Sequence, residues 1–246
     1  MSNTATTELA REIMLEFARL TGLSPARAHP RRYLWMDAFA VCNYLEFYSQ
    51  TNNKAHLDLA LQLVDQVHHV LGKHRGDDPR QGWISGLDAQ QGEEHPTVGG
   101  LRIGKQLNER KPNEPSDERL EWDQDGQYYH YLTKWMHALN CVSQDTGDPA
   151  YIRWAIELAK TAYAKFTFAP SYGDRKRMHW KMSIDLSYPL VPSMGQHDPL
   201  DGFVTYCELQ AAAANYLDGS SYPDLGHEIV DMARICQGIQ LPTNDP

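Results

Sequence analysis

A short acidic loop near the middle of the chain carries three carboxylates beside an indole. It reads Glu121-Trp122-Asp123-Gln124-Asp125, followed by a glycine. Carboxylates in such a group can act as a general acid or base beside an aromatic ring on which a substrate stacks. Glu121 and Asp123 are therefore candidate catalytic residues, and Trp122 is a candidate binding residue. Asp125 is open to two interpretations, an acid or a helix N-cap.

A second loop has the same character. It reads His197-Asp198-Pro199-Leu200-Asp201, again followed by a glycine. Because both loops end in Asp-Gly at the start of a predicted helix, we expect them to converge at one end of the fold. Asp201 can also be a helix cap, whereas His197 and Asp198 are candidate catalytic residues. A His-Asp-Pro turn can also exist because Asp and Pro favour turns.

Residues 177–187 alternate apolar and polar side chains, which predicts a β-strand. In one interpretation the apolar face packs on the core and the polar row faces the site. In the other, Trp180 faces a ligand and the polar row, including Lys181 and Ser183, lies in solvent. His179 is the catalytic candidate of this segment. The binding candidates are Trp180, Lys181 and Asp185.

Two polar residues interrupt predicted apolar helices. Asp37 follows Trp35 in a segment that is apolar on nearly every side, and burial would raise its pKa toward that of a general acid. Arg31 and Arg32 could instead hold Asp37 ionised in a structural pair. His130 is a candidate for binding in a shared cavity or for a hydrogen bond in the core. Trp35 is a further binding candidate.

Helices must position these residues. Apolar residues recur at steps of three and four in two-helix units at 33–74, 127–168 and 200–239, which predicts three helical hairpins of similar length. A further helix is expected near 6–21. Such hairpins bury their inner faces by stacking side by side.

Two long insertions separate the hairpins, at 75–126 and 169–199. Loops of this length in a compact domain are usually lids or binding elements. The second insertion contains the predicted strand, so the expected fold is all-α with one short β-strand or β-hairpin. We expect residues 1–246 to form one domain.

Composition excludes several classes of function. There are 23 Lys+Arg against 32 Asp+Glu, a net charge of −9, so we expect no nucleic-acid partner. We see no apolar run that could span a membrane and no export signal, which predicts a cytoplasmic protein. The four cysteines lie far apart in predicted helices, and we expect them to be reduced and buried. Known metal and cofactor motifs are missing, so neither a metal nor a cofactor is expected.

Alternating inner and outer helices, aromatic-rich inner helices and long loops at one end resemble the six-hairpin glycosidase-like (α/α) toroid superfamily. This superfamily includes glycoside hydrolases, unsaturated glucuronyl hydrolases and N-acylglucosamine 2-epimerases. The resemblance covers most of residues 30–240 and implies a carbohydrate site at the mouth of a ring. Three hairpins are fewer than six, and the chain ends in a turn-like stretch at 241–246. We therefore expect a partial toroid, completed by a partner chain in a homo-oligomer, or a fragment.

Two reactions follow from this resemblance, on a neutral or cationic-to-neutral small-molecule or oligosaccharide substrate. In a hydrolase, Glu121 or Asp123 and, opposite, Asp198 or Asp37 would be acid and base, with the tryptophans as sugar platforms. In an epimerase, histidines would move the proton. These histidines are His130, His179 and His197. The alternative is a non-catalytic helical-repeat module that binds a protein or a glycan.

Overall fold

The chain is mostly helical with a small β element, as the sequence predicts. A computed structural model describes residues 3–171, 175–193, 195–216 and 223–237, and the terminal stretch 241–246 lies outside these ranges. The helices of the described residues are α1 (Asn3–Thr21), α2 (Leu34–Thr51), α3 (Lys54–Leu71), α4 (Ala89–Glu94), α5 (Glu118–Asp123), α6 (Tyr129–Thr146), α7 (Pro149–Phe166), α8 (Asp198–Ala213) and α9 (Gly226–Cys236). The strands are β1 (Gln127–Tyr128), β2 (Thr167–Phe168), β3 (Arg177–Met178), β4 (Lys181–Met182) and β5 (Pro189–Val191).

The three predicted helical hairpins are present. Helix α2 packs on α3, α6 on α7 and α8 on α9. The helices lie within the predicted ranges except that α8 begins two residues early, at Asp198. Residues 238–239, the end of the third predicted range, lie outside the described residues. Helix α1 covers the predicted helix at 6–21.

Local sequence explains the tight connections of the first two hairpins. Asn52 and Gly147 end α2 and α6 in the left-handed conformation, with φ of 52° and 70°, which asparagine and glycine tolerate best. Asn53 and Asp148 then cap α3 and α7, because each side chain accepts a hydrogen bond from the N–H two residues later. Pro149 occupies the first turn of α7, where its missing N–H is no loss.

Helices α2, α6 and α8 lie side by side, with α6 in the middle. Large aromatic residues from this row fill the core, among them Tyr44, Tyr129, Trp135 and Tyr206, each at most 2% exposed. Each such side chain contributes about 1.5–3 kcal/mol through burial. Among the described helices, none combines the length and apolar character that crossing a bilayer requires. Closure of this row into a ring stays a prediction.

The predicted eleven-residue strand at 177–187 is wrong in its extent. It is divided into β3 and β4, each of two residues, and a turn follows in which Leu186 has a φ of 57°. Strand β4 lies between β1 and β5 in an antiparallel sheet, while β3 pairs with β2. The alternation fails because Lys181 and Ser183, expected in solvent, are fully buried along with the apolar positions.

The first insertion is fixed to the start of α6 by a buried charge cluster around Asp125. The Asp125 side chain is inaccessible to solvent, and its Oδ2 accepts from Arg102 Nη1 at 2.5 Å and from Arg75 Nη1 at 3.4 Å. Its Oδ1 accepts from the backbone N–H of Gly104 at 2.9 Å. The N-cap interpretation of Asp125 is therefore wrong, because α6 begins four residues later at Tyr129.

Replacing Asp125 by Asn should destabilise the fold by about 3–5 kcal/mol, because Arg102 is left as a buried charge without its counter-ion. Urea unfolding followed by circular dichroism measures this change. Asp123→Asn, at an exposed carboxylate two residues away, is the matched control and should change stability by less than about 0.5 kcal/mol. Equal stability of the two variants would contradict the role given to Asp125.

Candidate functional site

The starts of three neighbouring helices meet and bring predicted site residues together. Trp35 is the second residue of α2, His130 the second of α6 and Asp198 the first of α8. The rings of Trp35 and His130 lie 5.7 Å apart, and His130 Nδ1 lies 3.6 Å from Asp198 Oδ1. These three residues, with Trp180 and Asp201, are called the helix-end site below.

His130 and Asp198 form a buried pair without a close hydrogen bond. Their side chains are 24% and 8% exposed, and within the described part of the chain His130 Nδ1 and Asp198 Oδ2 have no hydrogen-bond partner. Burial raises the pKa of Asp198 to about 7, and the negative charge of Asp201 acts in the same direction. Burial lowers the pKa of His130 to about 4. A carboxyl that titrates near neutral pH therefore lies beside a neutral imidazole, which suits proton transfer.

Asp201 lies one helical turn after Asp198, in different surroundings. Its Oδ1 accepts from Lys134 Nζ at 3.0 Å, and its Oδ2 accepts from the Thr133 hydroxyl at 3.3 Å. About a third of the Asp201 side chain is exposed. The expectation that Asp201 caps the helix is wrong, since α8 has already begun at Asp198.

Aromatic rings surround the His130 side chain. Trp180 stacks on its imidazole with ring centroids 6.2 Å apart and an angle of 18° between the planes. Tyr131 lies 5.1 Å from the ring of Trp35. The N–H of Tyr129 donates to the Trp180 carbonyl at 3.4 Å, which ties the second insertion to the start of α6.

A cleft of about 400 Å³ adjoins this cluster through Trp180 and Tyr128. Trp122, 56% exposed, lines the same cleft and lies 5.5 Å from the Trp180 ring. The predicted binding residues Trp35, Trp122, His130 and Trp180 therefore form one connected set. An indole face exposed in a cleft is a suitable surface for an apolar sugar face.

Glu121 also borders this cleft, but both of its carboxylate oxygens are engaged. Oε1 accepts from Arg110 Nε at 2.5 Å, and Oε2 lies 3.3 Å from Lys181 Nζ. Lys181 is fully buried and also donates to the carbonyl oxygens of Glu121 and Gln124, at 2.6 and 2.9 Å. The structure therefore makes Lys181 a support for the acidic loop, out of contact with solvent.

Asp37 forms the structural pair that was one of its two interpretations. Arg32 Nη1 lies 3.4 Å from Asp37 Oδ1, and both side chains are almost fully buried. The N–H of Tyr33 donates to Asp37 Oδ2 at 2.8 Å. Burial raises the pKa of Asp37 to about 7, while Arg32 opposes this shift. This pair borders a separate cavity of about 610 Å³, lined also by Lys105 and Met36.

Among the described residues, no hydrogen bond, ion pair or ring contact joins the remaining candidates to His130. His179 stacks on Phe168 at 4.3 Å. Asp185 closes a turn by accepting from the Ser183 and Ser187 hydroxyls, and it also pairs with Arg80 at 2.8 Å. The exposed candidates are Asp123 and His197.

The sequence analysis did not identify Lys134 as a site residue, and it considered Asp201 only as a helix cap. A signal was present, because His130, Lys134, His137 and Cys141 follow one another at steps of four, three and four on α6. Titratable side chains that recur along one face of a helix indicate that this face is not packed in the core.

Comparisons with protein-family models, with curated proteins and with solved structures find no match to this chain.

Replacing Asp198 by Asn should flatten the dependence of stability on pH. The ordinary pKa of 3.8 is raised to about 7 in the folded protein, so between these values the folded state keeps a proton that the unfolded state has lost. The wild type should therefore lose stability relative to Asp198→Asn as pH rises from about 4 to 7, by a few kcal/mol at most. Urea unfolding at a series of pH values measures this difference.

Asp123→Asn serves as the control, because the same substitution at an exposed carboxylate should leave the pH profile of the wild type unchanged. If the difference between wild type and Asp198→Asn stays constant from pH 4 to 8, the raised pKa of Asp198 is refuted.

Proposed function

We propose that this chain is a carbohydrate-active enzyme that hydrolyses a glycosidic bond, with Asp198 as the general acid. The observation that carries the proposal is the carboxyl group of Asp198. It is buried, its Oδ2 has no hydrogen-bond partner among the described residues, and its pKa is raised to about 7. Such a group retains its proton near neutral pH and can deliver it to the oxygen of a leaving sugar.

Asp201 supplies the second carboxylate. Lys134 and Thr133 donate hydrogen bonds to its carboxylate, whereas Asp198 is buried and its Oδ2 has no hydrogen-bond partner among the described residues. Two carboxyl groups with opposed environments are typical of acid and nucleophile in glycosidases. Residues three apart on a helix have Cβ atoms about 5–6 Å apart. The separation of the two carboxyl groups determines the stereochemical outcome, since about 5–5.5 Å is typical of retaining and about 6.5–9.5 Å of inverting enzymes.

The aromatic residues of the site give the proposal its substrate class. Trp35 and Trp180 both contact the ring of His130, and Trp122 continues the aromatic surface into the cleft of about 400 Å³. Flat rings of this kind stack on the apolar faces of neutral sugars. A cleft of this volume lies within the usual range for small ligands.

The helix arrangement is compatible with the toroid to which the sequence is similar. Helices α2, α6 and α8 form a row, and their starts meet at the helix-end site. In a toroid this place corresponds to the mouth of the ring, where the two acidic loops would converge. A partial ring of this kind is part of the proposal.

Epimerisation of a sugar is the second candidate, and the contact between His130 and Asp198 favours it. Two groups that can each carry a proton lie 3.6 Å apart, and the imidazole is neutral at physiological pH. A neutral imidazole can take a proton from a carbon next to a carbonyl and exchange it with a neighbouring acid.

Replacing Asp198 by Asn should lower turnover of an active glycoside by at least about 100-fold and leave substrate binding within a few-fold, since general acid catalysis contributes about 10²–10⁴. A panel of neutral aryl glycosides and oligosaccharides, assayed for released sugar, identifies the substrate. Glycan-binding measurements on the same variants separate catalysis from binding. Asp123→Asn is the matched control and should retain full activity.

The assay distinguishes hydrolysis, epimerisation and binding without turnover. Release of sugar that depends on Asp198 supports hydrolysis, while solvent deuterium entering an unbroken sugar supports epimerisation. Glycan binding without turnover in the wild type, unchanged in Asp198→Asn, would contradict both and favour a non-catalytic binding module.

A further inference from the structure

A second group of reactive side chains lies on the same row of helices, two turns beyond the helix-end site. Cys42 on α2 and His137 and Cys141 on α6 bring two sulfur atoms and an imidazole nitrogen within 4.8 Å of one another. The sequence indicated buried and unreactive cysteines, but Cys42 and Cys141 are only half-buried. These three residues are called the Cys₂His cluster.

The placement of the cluster follows from helix geometry. Cys42 lies seven residues after Trp35, His137 seven after His130, and on α8 Glu208 lies seven after Asp201. Seven residues are about two turns, or roughly 10 Å along a helix. The cluster therefore lies on the same helix faces as the helix-end site, about two turns further along each helix.

The distance between His137 and Cys141 agrees with that between two ligands of one zinc ion, and Cys42 Sγ lies within 4.8 Å of both. With Zn–S bonds of about 2.3 Å and Zn–N bonds of about 2.0 Å, ligand atoms around a tetrahedral ion lie roughly 3.5–3.8 Å apart. His137 Nε2 lies 3.6 Å from Cys141 Sγ. His137 and Cys141 are four residues apart on α6, which places both side chains on one face of the helix.

The carboxylate of Glu208 lies next to the second ring nitrogen of His137. His137 Nδ1 lies 3.4 Å from Glu208 Oε2, on the side of the ring opposite Nε2. Histidine ligands of metals almost always donate their second N–H to such a group, which fixes the ring orientation and increases its basicity. This contact comes from a different helix and is independent of the sulfur geometry.

The cluster leaves one coordination position open. A cleft of about 390 Å³ lies over it, lined by His137, Cys141, Glu208, Asn140 and Gln144 among others. Zinc sites with three protein ligands and an open fourth position bind water or a substrate there.

We propose that Cys42, His137 and Cys141 bind a Zn²⁺ ion, with Glu208 orienting His137 and the fourth position open to an exchangeable ligand. Two thiolates and an imidazole are a ligand set that suits zinc, whereas magnesium and calcium require oxygen ligands. The proposal is independent of the carbohydrate activity, because it involves none of the residues of the helix-end site.

Metal binding to the full-length chain, reduced and stripped of metal with a chelator, tests this proposal. Competition against a chromophoric chelator should show one Zn²⁺ bound per chain. Co²⁺ should give a sulfur-to-metal charge-transfer band and the strong visible absorption of a four-coordinate site. Cys42→Ser, Cys141→Ser and His137→Gln should each weaken Zn²⁺ binding by at least about 100-fold, and Glu208→Gln by about 10–100-fold.

Cys236→Ser is the matched control, since this half-buried cysteine lies on α9 outside the cluster, and it should bind Zn²⁺ like the wild type. Circular dichroism of the metal-free variants verifies that each is folded. The proposal is overturned if the wild type binds no Zn²⁺ in this assay, or if folded Cys42→Ser and His137→Gln bind it as tightly as the wild type.

Discussion

The structure depends on how it compensates the free-energy cost of removing two carboxyl groups, those of Asp125 and Asp198, from water. Asp125 is fully buried, and its contacts with Arg102, Arg75 and two backbone N–H groups offset this cost. These contacts hold the first insertion against the start of α6. Asp198 is buried, its Oδ1 lies 3.6 Å from His130 Nδ1, and its Oδ2 has no hydrogen-bond partner among the described residues. Ion pairs and hydrogen bonds therefore offset the desolvation of Asp125, whereas the desolvation of Asp198 raises its pKa.

Helix α6 connects the contacts of Asp125 to the helix-end site. Its first residues follow the Asp125 anchor, and its second residue, His130, contacts Asp198, Trp35 and Trp180. Because α6 also lies between α2 and α8, a polar stripe on it can reach side chains from both neighbours. The helix-end site and the Cys₂His cluster use this stripe at two levels, which is why the chemistry of the chain concentrates on one face of the row.

Much of the fold could be predicted from local pattern. Apolar spacing located the three hairpins, and Asn53, Asp148 and Pro149 show why two of them turn where they do. The strand at 177–187 was wrong because Lys181 reaches Glu121, a contact across sixty residues that no local pattern contains. The site was predicted in part. Trp35, His130, Trp180 and Asp198 were candidates, and a pair between Asp37 and Arg32 was one of two interpretations. The ion pairs of Glu121 with Arg110 and Lys181 were not expected, because they join residues that no local pattern relates.

The central claim is that Asp198 holds its proton near neutral pH, and nuclear magnetic resonance measures this most directly. The side-chain carboxyl carbon of Asp198, assigned by its loss in Asp198→Asn, can be followed from pH 3 to 9 in the folded protein. The account predicts a titration midpoint of about 7. A midpoint at the ordinary value of an aspartate, about 3.9, would contradict it and would leave the helix-end site without its acid.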